Sequence, residues 1–150
     1  MGCSERSRMS RYPRILKASL LAGSIYFLSV ALAHLGQVKL PGLYIYYDLP
    51  SLAYQDSLIA ILAFGWSAFF FTAFTAPERN RGLIAAILLS GALAILGLCS
   101  IIARPELHPA GGEASRRFYW LEAAALFLYW LWLLTFHTLA GWKSPTNGQE

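Results

Sequence analysis

Four apolar runs, at 15–35, 57–76, 83–103 and 118–140, constrain this chain more than any other feature. Each approaches the roughly 20 residues that a helix rising about 1.5 Å per residue needs to cross about 30 Å of hydrocarbon. The third run holds no charged residue, and the fourth holds one acid, Glu122, in its first turn or two. A backbone in lipid must satisfy its own hydrogen bonds, so these runs predict helices. The expected fold class is an all-α integral membrane protein. It is a four-helix transmembrane bundle, antiparallel and up-down, with both termini cytoplasmic.

Composition agrees. Hydrophobic residues make up 57% and charged residues 13%, against about 25% charged in soluble domains. Five Trp and eight Tyr suit a chain with two membrane interfaces, where those side chains gather.

Orientation follows from the basic residues. Arg6, Arg8, Arg11, Arg14, Lys17, Arg79, Arg81 and Lys143 fall on the side of the N-terminus, and Lys39, Arg104, Arg116 and Arg117 on the other; eight against four places the N-terminal side in the cytoplasm. The expected location is a bacterial plasma membrane. Residues 1–14 form a basic cytoplasmic tail that can lie on anionic lipid, and 141–150 a polar tail without fixed structure. The net charge of +4 is therefore a topology signal, and no basic patch carries a nucleic-acid motif. The first run has one rival reading. A basic segment, an apolar stretch and then Ala31-Leu32-Ala33 fit a cleaved signal peptide, which would leave His34 as an N-terminal copper chelator and three spans.

The turn around Pro77 and Gly82 is short, so the second and third helices are expected to be antiparallel neighbours. Along the third helix Gly82, Ala86, Ser90 and Ala94 recur every four residues, a small-residue stripe that favours close helix packing. Between the first two helices, 36–56 is too apolar for a water-filled loop. It is expected to lie in the interface or over the bundle mouth, with the rings of Tyr44, Tyr46, Tyr47 and Tyr54 at the headgroups. Pro50 suits the first turn of a helix running through Asp56.

Chemistry, if there is any, is expected at the outer face. His34, Asp56 and Glu122 all fall near outer helix ends, with Tyr44 and Tyr47 above them. Such a set could bind a ligand, relay a proton or, if any metal is held, supply its ligands. The plainer account is that acids near helix N-termini are favoured by the dipole and reach headgroup water. No cofactor is expected. His34 and His137 fall at opposite faces, which excludes a shared haem iron. Cys3 and Cys99 form no C-x-x-C, which excludes a thiol oxidoreductase. The first run lacks the embedded Glu of a small multidrug exporter. Residue 6 is Arg where a myristoylation signal needs Ser or Thr. The aromatics of the second and fourth runs cover too many sides to face only the bundle; some must face lipid, a partner or a flat ligand.

The expected function is that of a non-enzymatic accessory or scaffold subunit. Its partners would be the lipid bilayer and another membrane subunit or a second copy, with no nucleic acid. Two other readings stand beside it: a small transporter or lipid- or quinone-type ligand binder with its site under 36–56, and a membrane metalloenzyme.

Overall fold

The computed structural model describes residues 11–40, 52–104 and 112–140, with the backbone alone at residues 11 and 112–116. Four helices follow in order: α1 Arg11–Leu35, α2 Ala53–Thr75, α3 Arg81–Ile102 and α4 Gly112–Leu139. All four are long and apolar enough to cross a membrane. Leu32, Leu62, Leu96 and Leu128, one on each helix, are 61%, 66%, 67% and 65% exposed. Leucines so open on every helix would be costly in water and are ordinary against lipid. The chain is a small all-helical polytopic membrane protein.

The helices begin earlier than the apolar runs. Backbone hydrogen bonding does not depend on hydropathy, so α1, α2 and α4 extend N-terminally through polar residues. The extension is largest in α4, which starts at Gly112. Glu122 therefore lies ten residues inside that helix, about 15 Å from its start, while remaining near the start of the membrane-spanning stretch Arg117–Leu139. Leu52 precedes α2, and its N–H donates to Gln55 Oε1 at 3.4 Å. Pro50 and most of the 36–56 segment lie outside the described residues.

Each helix neighbours two others. The tightest pair is α1–α2, followed by α3–α4, α1–α4 and α2–α3. In the α1–α2 pair Ser24 meets Ser67 and His34 meets Asp56, an antiparallel register. The facing residues are small: Gly23, Ser24 and Ala31 on α1, and Ala60, Ala63, Ser67 and Ala73 on α2 are buried. Small side chains let two backbones approach closely, and the serines then reach across. Ser24 Oγ donates to the Ser67 carbonyl at 3.0 Å, and Ser67 Oγ returns a bond to the Ser24 carbonyl at 2.9 Å.

The other contacts rely on indole and phenol groups docking on backbone. Trp130 Nε1 donates to the Leu88 carbonyl at 2.7 Å. A Cβ on Gly91 would stand 3.1 Å from the Trp130 ring, so glycine clears the space for this bond. Tyr129 donates to the Ser19 carbonyl at 2.7 Å, and Trp132 Nε1 to Ser19 Oγ at 2.9 Å, which join α4 to α1. Here Gly23 is required: a Cβ would fall 2.5 Å from the Tyr129 hydroxyl and 2.6 Å from Phe70.

The core is unevenly shared. Near the α2–α3 turn one cluster draws on all four helices: Leu16, Leu20, Phe70, Ala73, Ile84, Ile87, Leu88 and Leu133. Toward the other end it divides into Val30, Ala31 and Ala63 between α1 and α2, and Ile102, Tyr119 and Ala123 between α3 and α4. The bundle is four helices deep at one end and two helix pairs at the other.

The small-residue stripe of α3 does not serve this packing. Gly82, Ala86 and Ala94 are exposed and Ser90 is half-buried, while Ile84, Ile87, Leu88 and Ile102 are buried.

Gly23→Leu is expected to destabilise the protein by about 1–3 kcal/mol through overpacking, read as a lower midpoint of thermal unfolding in detergent. Gly97→Leu, on an open surface, should leave that midpoint unchanged or raise it.

Candidate functional site

Among the described residues, His34 and Asp56 form the buried ion pair of the fold. His34 lies in the last turn of α1 and Asp56 in the first turn of α2. Their side chains meet with Nδ1 3.0 Å from Oδ1, and the residues are 6% and 5% exposed. A carboxylate only accepts, so the imidazole Nδ1–H donates, and this fixes the tautomer of a neutral ring. Asp56 also sits near the N-terminus of α2, where the helix dipole favours a negative charge.

Local backbone structure sets the histidine in place. The Gln37 N–H donates to the His34 carbonyl at 3.1 Å, and the Val38 N–H to the Ala33 carbonyl at 2.9 Å. These two bonds form a Schellman closure, with Gln37 in the left-handed position at φ 53°. Glycine is the usual residue there; in this chain it stands one place earlier, at Gly36. The chain thus leaves α1 immediately after its histidine, and the α1–α2 seam orients the ring toward Asp56.

Glu122 does not complete a triad. It is half-buried on α4 and within electrostatic range of Tyr26. Tyr26 precedes His34 by eight residues on α1, about 12 Å along the helix. Among the described residues, no three His, Cys, Asp or Glu side chains come together in a way that could hold a metal ion. Of His34, Asp56 and Glu122, the first two share a hydrogen bond, and Glu122 lies on α4 in the range of Tyr26. Tyr44 and Tyr47 lie outside the described residues.

His137 is half-buried in the last turn of α4. Its neighbour Phe136 meets Tyr12 at the opposite end of α1 from His34, with ring centroids 6.1 Å apart. The two histidines are separated by the length of the bundle. Cys99 is a free, half-buried thiol on α3.

The aromatic residues divide into an inner relay and an outer coat. Phe27 stacks on Trp66 at 5.9 Å and packs on Phe70 at 5.4 Å, and Phe70 continues to Tyr129 at 6.5 Å. These rings fill the space between α1, α2 and α4 with one another. Phe64, Phe69 and Phe71 are exposed on the outside of α2.

Two serine contacts and Gly23 were not singled out in the sequence, although their spacing carries a signal. Leu16, Leu20, Gly23, Phe27, Ala31 and His34 recur at three and four residues, a heptad-like seam. Alanine, serine and glycine are so common in all four runs that this pattern has several competitors.

Comparison with protein-family models, with curated proteins and with solved structures finds no match for this chain.

Chemically, the His34–Asp56 pair can fasten two helix ends and can hold a proton between its members. His34→Leu, like Asp56→Leu, is expected to cost about 3 kcal/mol by leaving the other member of the buried pair without its partner. The double variant His34→Leu with Asp56→Leu should recover most of that loss. Unfolding midpoints of the wild type, both single variants and the double variant form the cycle that checks this.

Proposed function

We propose that this protein is a non-enzymatic membrane scaffold or accessory subunit whose outward face of α3 receives another transmembrane helix. One observation carries the reading. Gly82, Ala86 and Gly97 lie on one side of α3 with Leu89 and Leu93, all exposed, opposite the side that packs on α4. A Cβ added at Gly82 or Gly97 would meet nothing within 4 Å.

Glycine inside a helix is worth about 1 kcal/mol less than alanine. At Gly23 and Gly91 that cost is offset by a ring that could not otherwise dock. At Gly97 no such contact exists within the chain, and a close approach from outside supplies the missing reason. Leu89 and Leu93 would flank the groove as ridges, the arrangement by which small residues admit a second helix in lipid. The polar groups favour this reading over a ligand site, because His34 and Asp56 bond each other across the α1–α2 seam and Glu122 lies on another helix.

The orientation that goes with this reading has both termini in the cytoplasm of a bacterial cell, with the α2–α3 turn on the same side. Arg14, Lys17, Arg79 and Arg81 at that end, followed by the basic N-terminal tail, support it. In a background with both native cysteines replaced by alanine, Lys39→Cys should react with an impermeant maleimide added to intact cells. Arg79→Cys should react only after lysis; the reverse pattern would invert the topology.

Helix association gives the functional test. In mild detergent the wild type is expected to run as a complex, either with itself or with a copurifying membrane protein. Ala86→Leu combined with Gly97→Leu should weaken that association about tenfold or more while leaving the helical content of the protein unchanged. A wild-type monomer with nothing bound would sink the scaffold reading.

A further inference from the structure

The opposite end of the α1–α2 seam carries an open cleft of about 330 Å³, lined by Pro13, Arg14, Lys17, Thr75, Glu78 and Arg79 among others. Its volume is at the lower end of the range for small-molecule sites, about 300–1,000 Å³. We propose that this cleft binds the phosphate headgroup of one anionic membrane lipid, held by Arg14, Lys17 and Arg79.

Three cations surround it against one carboxylate, Glu78. Among the described residues none of the three forms a salt bridge, with Glu78 or any other acid. Three cations lining one cleft give it a positive potential that favours an anion there. The helix ends do not set the sign of the site: the positive end of the α1 dipole and the negative end of the α2 dipole lie side by side and oppose each other. The side chains therefore decide it. Arginine suits this role, since its planar fork matches a phosphate with two parallel hydrogen bonds.

Position makes a lipid the occupant rather than a free anion. The cleft lies where the membrane-spanning segments Tyr12–Leu35 and Ala53–Thr75 begin and end, the depth at which headgroups sit. Lys17 places its ammonium 5.1 Å from the centre of the Phe74 ring. Its stem thus runs along apolar surface and its charge is held at the rim. Exposed apolar residues of α2, Phe71 among them, continue from the cleft along the helix toward the bilayer centre. That surface can carry an acyl chain while the headgroup stays among the cations. Basic pockets between transmembrane helices are recognised headgroup sites.

The inference is independent of the scaffold reading, because α3 takes no part in the cleft. The test is native mass spectrometry of the full chain from nanodiscs with equal parts phosphatidylglycerol and phosphatidylcholine. The wild type should retain one phosphatidylglycerol per chain with about tenfold or greater preference. Arg14→Gln, Lys17→Gln and Arg79→Gln combined should abolish that preference. Lys39→Gln, Arg104→Gln and Arg117→Gln, which remove the same charge at the other end, should keep it. Equal retention of both lipids by the wild type, or the same loss in both triple variants, would overturn the proposal. Displacement of the lipid by excess inorganic phosphate would also overturn it, by assigning the cleft to a soluble anion.

Discussion

Close approach of α1 and α2 is the constraint from which the other contacts follow. In lipid, two helices gain little from hiding apolar surface from each other, because the acyl chains are equally apolar. Association must then come from packing and from polar bonds that lipid cannot make. Gly23, Ser24 and Ala31 facing Ala60, Ala63 and Ser67 supply the first, and the paired serine bonds supply the second. Gly23 has a further role, since the space it leaves admits Tyr129 and Phe70. The same glycine that thins the α1–α2 seam also brings α4 against α1.

Once that seam is set, the two ends of the bundle differ for a physical reason. Near the α2–α3 turn a short connection holds the helices together, and large residues from all four fill the centre. At the far end the connections are longer, and the core separates into two pairs. The α1–α2 pair is then closed by an ionisable bond instead of hydrocarbon. A buried histidine and aspartate are costly apart and acceptable together, so His34–Asp56 fixes the register of two helix ends that little else restrains.

Part of the outer-face set was legible in the sequence. His34 and Asp56 both end or begin a helix on the same side of a tight seam, so proximity in depth was enough to place them together. Glu122 was assigned to the same level because its apolar run starts at residue 118. Its helix starts at Gly112, so the carboxyl is carried on continuous helix and not at a helix end. Hydropathy marks where lipid begins, not where a helix begins. The small-residue stripe shows the complementary limit. Spacing identified a groove on α3, but the closest packing within the chain formed on α1 and α2, where similar residues also repeat.

Length and hydropathy alone determined four membrane-spanning helices, because the cost of placing polar backbone in hydrocarbon acts on each segment separately and needs no partner. Which faces meet is a property of pairs. That Gly23 admits a tyrosine, that Trp130 reaches the Leu88 carbonyl, and that α3 keeps Gly82, Ala86 and Gly97 outward depend on the rotation of each helix about its axis. Differences of packing and a few interhelical hydrogen bonds set that rotation. Only the tertiary structure decided it, since an apolar helix without a polar face offers several competing small-residue patterns and nothing in its sequence ranks them.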